Sequence, residues 1–170
     1  MKIIIKPLGD VDNQTLEELK KILSHVFGCP VEISSKLDIS DRAYNRKREQ
    51  YLAPALLDSI RASGIVLDER VLGIVDIDLY ASGLNFVFGQ AEPDSGAAII
   101  SLYRLRQELP PDQTLFLNRA AKEAVHELGH TFGLGHCSKT KCVMHFSNSL
   151  HDTDLKEITF CSQCQPKLIK

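Results

Sequence analysis

The sequence has no apolar run long enough to cross a membrane, which takes about 20 consecutive apolar residues in a helix. Its first ten residues, MKIIIKPLGD, contain an apolar stretch of only three, Ile3 to Ile5. That stretch is too short for the core of a signal peptide. We therefore expect a cytoplasmic protein without membrane contact, in a compartment where cysteine thiols stay reduced.

The sequence also lacks an excess of charge of either sign. Its 20 Lys and Arg residues and 22 Asp and Glu residues leave a formal net charge of −2. Nothing global therefore favours nucleic acid or an anionic membrane as a partner. One basic cluster is present, which a solvated surface explains better than a binding patch: Arg42, Arg46, Lys47 and Arg48.

Internal repeats, low-complexity tracts and long linkers are absent as well. A chain of 170 residues without them is expected to fold as one domain with a sizeable core. We expect residues 1–135 to supply its sheet and main helices, and residues 136–170 to form an irregular segment rich in metal ligands. We expect a monomer.

Hydrophobic periodicity predicts a mixed sheet with helices packed on it. Asp12 is a plausible N-cap of the first helix and Gly28 ends it, while Pro54 fits the first turn of the second helix. The segment ELPPDQT, residues 108–114, breaks the pattern before a long final helix. The expected strands are 2–6, 31–39, 71–80, 84–91 and 97–105, and the expected helices are 12–27, 53–63 and 115–132.

The last of these helices carries a possible metal site. His126 and His130 are four residues apart, so they share a helix face and two imidazoles can reach one metal ion. Glu127 lies one step round the helix beside them. An HExxH pattern alone is weak evidence, because it also occurs by chance.

Three further residues strengthen the metal-site interpretation. Gly133 lets the chain turn out of the helix, His136 can return to the same metal, and Met144 lies eight residues beyond His136. The pattern HExxHxxGxxH followed by methionine is the signature of metzincin zinc proteases. Three neutral histidines leave one zinc position open for water. Glu127 can accept the proton of that water and pass it to a leaving amine, as peptide-bond hydrolysis requires.

Other residues near this pattern have simpler interpretations. Met144 is not assigned as a ligand, and core packing alone would explain it. Three more histidines have no partner pattern and are expected to be exposed or internally satisfied: His25, His145 and His151.

Four of the five cysteines are paired near the end of the sequence, Cys137 with Cys142 and Cys161 with Cys164. Four thiolates form a closed, structural zinc site, which would anchor the C-terminal segment. A redox pair is disfavoured because such motifs lie at a helix N-terminus after a strand, and a nucleic-acid-binding zinc ribbon because no basic face accompanies it. Cys29 is expected to be a small buried residue.

Together these motifs resemble the archaemetzincin family, which joins the metzincin zinc motif to four cysteines that hold a second zinc. HELGHTFGLGHC, CVM and FCSQC carry the resemblance. REQYLAPALL, DLYASGLNFVFGQA and AAIISLYRL are similar to the family too, so the resemblance covers most of the chain.

The resemblance implies a compact, single-domain metzincin-like zinc-protease fold, α/β (α+β), with a twisted mixed sheet above an active-site helix. It implies a peptide or protein substrate that pairs with an antiparallel edge strand, LNFVFGQA. Met144 would form the methionine turn beneath the zinc. By similarity, Glu127 is the acid/base, His126, His130 and His136 hold the catalytic zinc, and Cys137, Cys142, Cys161 and Cys164 hold the structural zinc.

The sequence departs from other metzincins at two points. Phe146 stands where some have a tyrosine that contacts zinc or the transition state, so oxyanion stabilisation must come from the zinc or elsewhere. The first strand begins near Lys2, so we expect no inhibitory pro-segment. An unrestrained cytosolic protease would be hazardous, so we expect narrow specificity or weak activity.

Two hypotheses extend this interpretation. A zinc-dependent peptide-binding protein with little or no turnover is the alternative to a peptidase, because positioning decides catalysis and motifs do not report it. His136 and Cys137 are adjacent, and successive side chains of extended backbone point to opposite sides. We therefore expect them to serve different zinc ions, with the four-cysteine site positioning His136.

Overall fold

The computed structural model describes residues 1–106 and 112–169. Its main sheet has five strands in the order β2-β1-β5-β8-β7, all parallel except β7, which runs antiparallel to β8 at the edge. These strands are β1 (Lys2–Pro7), β2 (Val31–Ile33), β5 (Glu69–Val75), β7 (Gly89–Glu92) and β8 (Ala97–Ser101). A smaller three-stranded sheet consists of β3 (Tyr44–Asn45), β4 (Gln50–Leu52) and β6 (Leu79–Tyr80).

Within the described ranges, four α-helices accompany the sheets: α1 (Asn13–Phe27), α2 (Ala53–Ala62), α3 (Gln113–Thr131) and α4 (Leu150–Leu155). The two long helices begin at aspartate N-caps. The Asp12 carboxylate accepts a hydrogen bond from the Thr15 N–H, and that of Asp112 accepts one from the Leu115 N–H. Such caps satisfy N–H groups that have no partner within the helix. No helix in the described ranges is both long and apolar enough to cross a membrane.

The core lies on both faces of the main sheet, because side chains of a strand alternate between its faces. Ile3 and Ile5 of β1 join the cluster beneath α1 and α3. Ile4, between them, joins the cluster beneath α2. The mixed sheet predicted from the sequence is confirmed, with α3 on the face opposite α2.

Several predicted strand boundaries were wrong. The strand predicted at 71–80 divides into β5 and β6, because the chain bends at residues 76–78. There Asp76 pairs with Arg106, and Asp78 forms two hydrogen bonds with Arg104 at 2.6 and 2.7 Å. These ion pairs hold the bend out of the sheet.

Three more predicted strands are shorter than expected. The second ends at Ile33 rather than residue 39, the edge strand is Gly89–Glu92 rather than 84–91, and β8 gives way to a 3-10 turn, Tyr103–Arg106. The predicted break at residues 108–114 lies partly outside the described residues. The segment after residue 135 is largely irregular, as predicted, but contains α4, which we did not predict.

Candidate metal centres and active-site cleft

The predicted histidines converge at the C-terminal half of α3. His126 and His130 lie on one face of this helix, and their ring centroids are 4.6 Å apart. Gly133 takes a left-handed conformation, with φ of 81°, which turns the chain out of the helix. The chain then brings the His136 ring to 4.9 Å from that of His130. One ring nitrogen from each histidine lies within 4.8 Å of the other two.

Backbone carbonyls fix the orientation of two of these rings. The Nδ1–H of His126 donates to the Val143 carbonyl at 2.8 Å, and that of His130 to the Leu134 carbonyl at 2.7 Å. A carbonyl oxygen can only accept, so Nδ1 carries the proton and Nε2 presents a lone pair. Both histidines therefore offer Nε2 as a metal ligand.

The nitrogen separation fits a shared cation. The Nε2 atoms of His126 and His130 are 3.1 Å apart, although neither carries a proton for the other. Two facing lone pairs repel each other unless a positive ion lies between them. Ligand nitrogens on a tetrahedral zinc at 2.0–2.1 Å would be about 3.3 Å apart, so the donor set suits zinc.

The surroundings of the three imidazoles favour their neutral form. Burial lowers the pKa of His126 to about 2, and the nearby Lys156 ammonium acts in the same direction. Partial burial also lowers the pKa of His130, and loss of some of its hydration lowers that of His136, although His136 is exposed. Neutral imidazole is the form that binds a metal ion.

Glu127 lies between the histidine cluster and the sheet edge. Only 6% of this residue is exposed, and its burial raises the pKa of the carboxyl, with the Glu123 charge acting in the same direction. On the sheet side, Gly89 in β7 lies next to Glu127. A Cβ atom on Gly89 would lie 2.6 Å from Cγ and 2.8 Å from Oε1 of Glu127. The edge strand thus reaches Glu127 only because residue 89 has no side chain.

Met144, which the sequence predicts to form a methionine turn, packs against α3. Met144 is fully buried, and a Cβ on Gly129, within the HELGH stretch of α3, would collide with its sulfur. The Met144 carbonyl accepts the Cys137 N–H at 2.9 Å. This hydrogen bond joins the turn to the first residue of the cysteine cluster.

The four predicted cysteines form a second cluster. Their sulfur atoms lie within 4.8 Å of one another, and the cysteines are free thiols. Cys137 and Cys161 Sγ are 3.9 Å apart, close to the spacing of about 3.8 Å expected for thiolates on a tetrahedral zinc at 2.3 Å. Hydrogen bonds from the Gln163 and Cys164 backbone lower the pKa of Cys161 to about 6. This favours the thiolate, the ligand form, at Cys161, whereas burial raises the pKa of Cys142 and of Cys164.

Adjacent His136 and Cys137 therefore belong to different clusters, one open to the cleft and one closed. Three other histidine predictions also agree with the structure. His25 and His151 are exposed, and His145 Nδ1 is satisfied by the Cys137 carbonyl at 3.0 Å. Cys29 is buried, as expected.

A cleft of about 250 Å³ opens between the edge strand and the histidine site. Phe86 and Phe88 line it from the strand side, and Phe146, 45% exposed, lines it from the segment after the methionine turn. The Phe146 ring lies 4.8 Å from that of His136. The cleft is thus apolar in its walls and ends at the histidines and Glu127.

Sequence reasoning missed several residues of the cleft. Glu123 lines its floor and pairs with fully buried Lys156 at 2.9 Å. Glu123 lies one helical turn before Glu127, a spacing visible in the sequence, but its partner is remote and no local signal indicates it. Arg48, predicted to be solvated, also donates hydrogen bonds to the carbonyls of Leu84 and Asn85 at the rim.

This fold and this arrangement define the class: the protein is a zinc metallopeptidase of the metzincin type. The model of peptidase family M54 matches residues 8–170. An archaemetzincin of Methanocaldococcus jannaschii is 46% identical over 99% of this chain and 93% of its own length. The chain belongs to peptidase family M54.

Solved structures are similar throughout the chain. The archaemetzincin of Archaeoglobus fulgidus, crystallised with malonate, is 41% identical, has a TM-score of 0.86, and is matched over 98% of this chain and 99% of its own. That of Methanopyrus kandleri is 42% identical, with a TM-score of 0.87 over 99% of this chain and 93% of its own. The metallopeptidase class and the mixed α/β fold predicted from the sequence are thereby confirmed, and peptides or proteins are its substrates.

Proposed function

We propose that this protein hydrolyses peptide bonds at the histidine cluster, with Glu127 as general base and then general acid. The observation that carries the proposal is the position of Glu127, enclosed between the three histidines and the backbone of the edge strand. A zinc ion held by His126, His130 and His136 would supply a Lewis acid that acidifies water and polarises a carbonyl.

Glu127 performs the proton transfers in this proposal. Its carboxylate accepts a proton from the attacking water and later delivers it to the leaving amine. Burial strengthens it as a base by raising its pKa, while a cation held by the histidines favours its ionised form. Exclusion of water strengthens its hydrogen bonds to the reacting groups.

The edge strand supplies a place for the substrate backbone. The Ser101 N–H donates to the Phe88 carbonyl at 2.8 Å, so alternation along an antiparallel pair turns the N–H and C=O of Gly89 away from β8. An extended peptide pairing with these groups would lie beside Glu127. This is strand addition to a sheet edge.

We further propose a second, structural zinc at the four cysteines, giving two zinc ions per chain. The closed set of four sulfurs leaves no ligand position for water. The single domain, the monomeric state and the cytoplasmic location expected from the sequence stay predictions.

The substitution Glu127→Gln tests the peptidase mechanism, because glutamine keeps the shape of the side chain but cannot take the proton. We expect the zinc content of the variant to equal that of the wild type and peptide hydrolysis to fall by a factor of 100 or more, roughly the contribution of general acid–base catalysis. Metal analysis and a peptide-library digest, run on the same samples, measure both.

Undiminished hydrolysis by Glu127→Gln would contradict the mechanism. A wild-type protein that binds library peptides but cleaves none would instead support the alternative, a peptide-binding protein. Binding is measured in the same experiment by fluorescence anisotropy of labelled peptides.

A further inference from the structure

Two polar groups in the cleft have hydrogen-bonding capacity that the protein itself does not use. The first is Glu123. Lys156 Nζ and the Thr153 hydroxyl both bond its Oε1, at 2.9 and 3.1 Å. Among the described residues no hydrogen bond to Oε2 is present, and Glu123 lines the cleft. One carboxylate oxygen is thus left as an acceptor at the cleft floor.

The second group is the hydroxyl of Ser147. Its Oγ is buried and has no hydrogen-bond partner among the described residues, although Ser147 also lines the cleft. A buried polar group without a partner is destabilising, and native proteins rarely keep one without a reason. The hydroxyl can both donate and accept.

The remaining walls favour a flat apolar group. Phe86 and Phe88 pack edge to face, with ring centroids 5.2 Å apart, and Phe146 stands on the opposite wall. A cleft of about 250 Å³ holds several times the roughly 30 Å³ that one water occupies. An aromatic ring entering here would meet the edges and faces of other rings, an arrangement that aromatic pairs prefer.

Lys156 determines which kind of polar group, at the end of a substrate side chain, the cleft can accept. Its side chain is fully buried, and its ammonium is held between Glu123 Oε1 and the His145 carbonyl, at 2.9 and 3.4 Å. The charge of Glu123 is therefore already balanced, and an arginine or lysine side chain would enter beside a buried cation. The positive charge of that side chain and the Lys156 ammonium would repel each other strongly, because water is excluded there. A neutral hydrogen-bonding tip avoids this repulsion.

We infer that the cleft selects a tyrosine side chain of the substrate, with Glu123 and Ser147 as specificity-determining residues. The tyrosine ring would lie among the three phenylalanines, and its hydroxyl would donate to Glu123 Oε2 and accept from Ser147 Oγ once rotation of the Ser147 side chain turns that buried hydroxyl toward the cleft. Lys156 acts as a positioning residue that holds Glu123 in place. The inference rests on the proposed peptidase function and names its substrate class.

The test compares peptides of one sequence that carry Tyr, Phe or Arg at each position in turn, digested by the zinc-loaded protein. A site built to bond a hydroxyl discriminates strongly against the analogue that lacks it, because its polar groups are then left unpaired. At one position we expect kcat/KM to be about tenfold or more higher for Tyr than for Phe, and lower still for Arg. Equal or faster cleavage of the Phe peptide at every position would overturn the inference and leave the peptidase function standing.

Two single variants distinguish an effect on the selection of tyrosine from an effect on folding. Ser147→Ala removes the unpaired hydroxyl, so we expect an unchanged or higher Tm together with a Tyr/Phe ratio several-fold lower. The exposed Ser35 provides the matched control, and Ser35→Ala should leave the ratio unchanged. An unchanged ratio in Ser147→Ala would remove Ser147 from the proposal.

The double variant Glu123→Leu, Lys156→Met replaces the buried pair by apolar side chains of similar size, which proteins often tolerate without loss of stability. We expect it to keep its zinc and to lose the preference for Tyr, so that the ratio of kcat/KM for the Tyr and Phe peptides falls to about one. A retained preference would contradict the role of Glu123.

Peptide binding keeps the inference testable if turnover is absent. Displacement of a fluorescent peptide by the Tyr and Phe peptides reports the same preference, with tighter binding of Tyr expected. Failure to cleave any peptide would contradict the proposed function, whereas equal displacement by Tyr and Phe would contradict the selection of tyrosine.

Discussion

Gly89 and Glu127 lie in close contact between the edge of the sheet and α3. The backbone at Gly89 does not require glycine, since its φ is not in the left-handed region. Close contact is what excludes a side chain, because a Cβ would lie 2.6 Å from Glu127 Cγ and 2.8 Å from the Ile99 carbonyl oxygen. At the scale of single residues, the distance between the edge strand and Glu127 is thus set by the absence of a Cβ at residue 89.

The substitution Gly89→Ala tests this contact. We expect it to lower the free energy of unfolding by about 1–3 kcal/mol, as overpacking does, and hydrolysis by about 100-fold, since a shift near 1 Å at a reacting group has that effect. Urea denaturation and kcat/KM measure the two changes, and zinc content should stay the same.

A double-mutant cycle provides the control for Gly89. In a Glu127→Ala background the Glu127 side chain no longer fills the space next to Gly89, and only the Ile99 carbonyl remains close, so Gly89→Ala should destabilise the protein less, by at least about 0.5 kcal/mol. An equal loss of stability in both backgrounds would show that the Ile99 carbonyl, and not Glu127, excludes the methyl group.

At the scale of elements, the C-terminal segment holds both the cleft wall and the third histidine. The Cys137 N–H bonds the Met144 carbonyl, and the Cys137 carbonyl accepts from His145. His136 is thus one peptide bond from a residue tied to both the cysteine cluster and the methionine turn. The cysteine site is positioned to fix the backbone that carries His136.

The substitution Cys161→Ser tests that coupling between the two sites. We expect it to remove the second zinc and to speed release of the first, because the backbone at His136 loses its anchor. Transfer of zinc to a chromophoric chelator measures both release rates. Cys29→Ser, the same chemical change at a buried cysteine outside the cluster, should alter neither rate. An unchanged first site in Cys161→Ser would contradict the coupling.

Elements with local signals could be predicted from the sequence, and elements set by distant partners could not. Helix α1 has its cap, its apolar stripe and its terminal glycine within a few residues of one another. The bend at residues 76–78 depends on Arg104 and Arg106, which lie far along the chain. Helix α4 did have a local signal, the capping box between Ser149 and Asp152, but no apolar periodicity long enough to indicate a helix.

The same division applies to the candidate site. The HExxHxxGxxH spacing brings three histidines together because the helix and the glycine turn are both formed by residues close together in the sequence. The Glu123–Lys156 pair joins residues 33 positions apart (123 to 156), so only the folded chain shows it. The floor of the cleft therefore could not be predicted, although the clustering of its three histidines could.

At the scale of the whole molecule, buried polar contacts hold the C-terminal segment against α3. Arg119 of α3 forms two hydrogen bonds with Asp154, at 2.7 and 2.6 Å, and Lys122 donates to the carbonyls of Thr153 and Asp154. Together with the Glu123–Lys156 pair, these contacts tie the segment that carries the cleft wall and the cysteine cluster to α3, the helix that carries His126 and His130. The two clusters differ in their ligand atoms, nitrogen in one and sulfur in the other, but the same contacts with α3 hold both in place.

The central claim is that the chain holds two chemically different zinc sites, one open to the cleft and one closed. Zinc per chain, measured by mass spectrometry of the metal at saturating zinc, tests it most directly. We predict two zinc ions in the wild type, one in the double variant His130→Ala, His136→Ala, and one in Cys161→Ser, Cys164→Ser. A wild type with one zinc, or a double variant that still holds two, would contradict the claim.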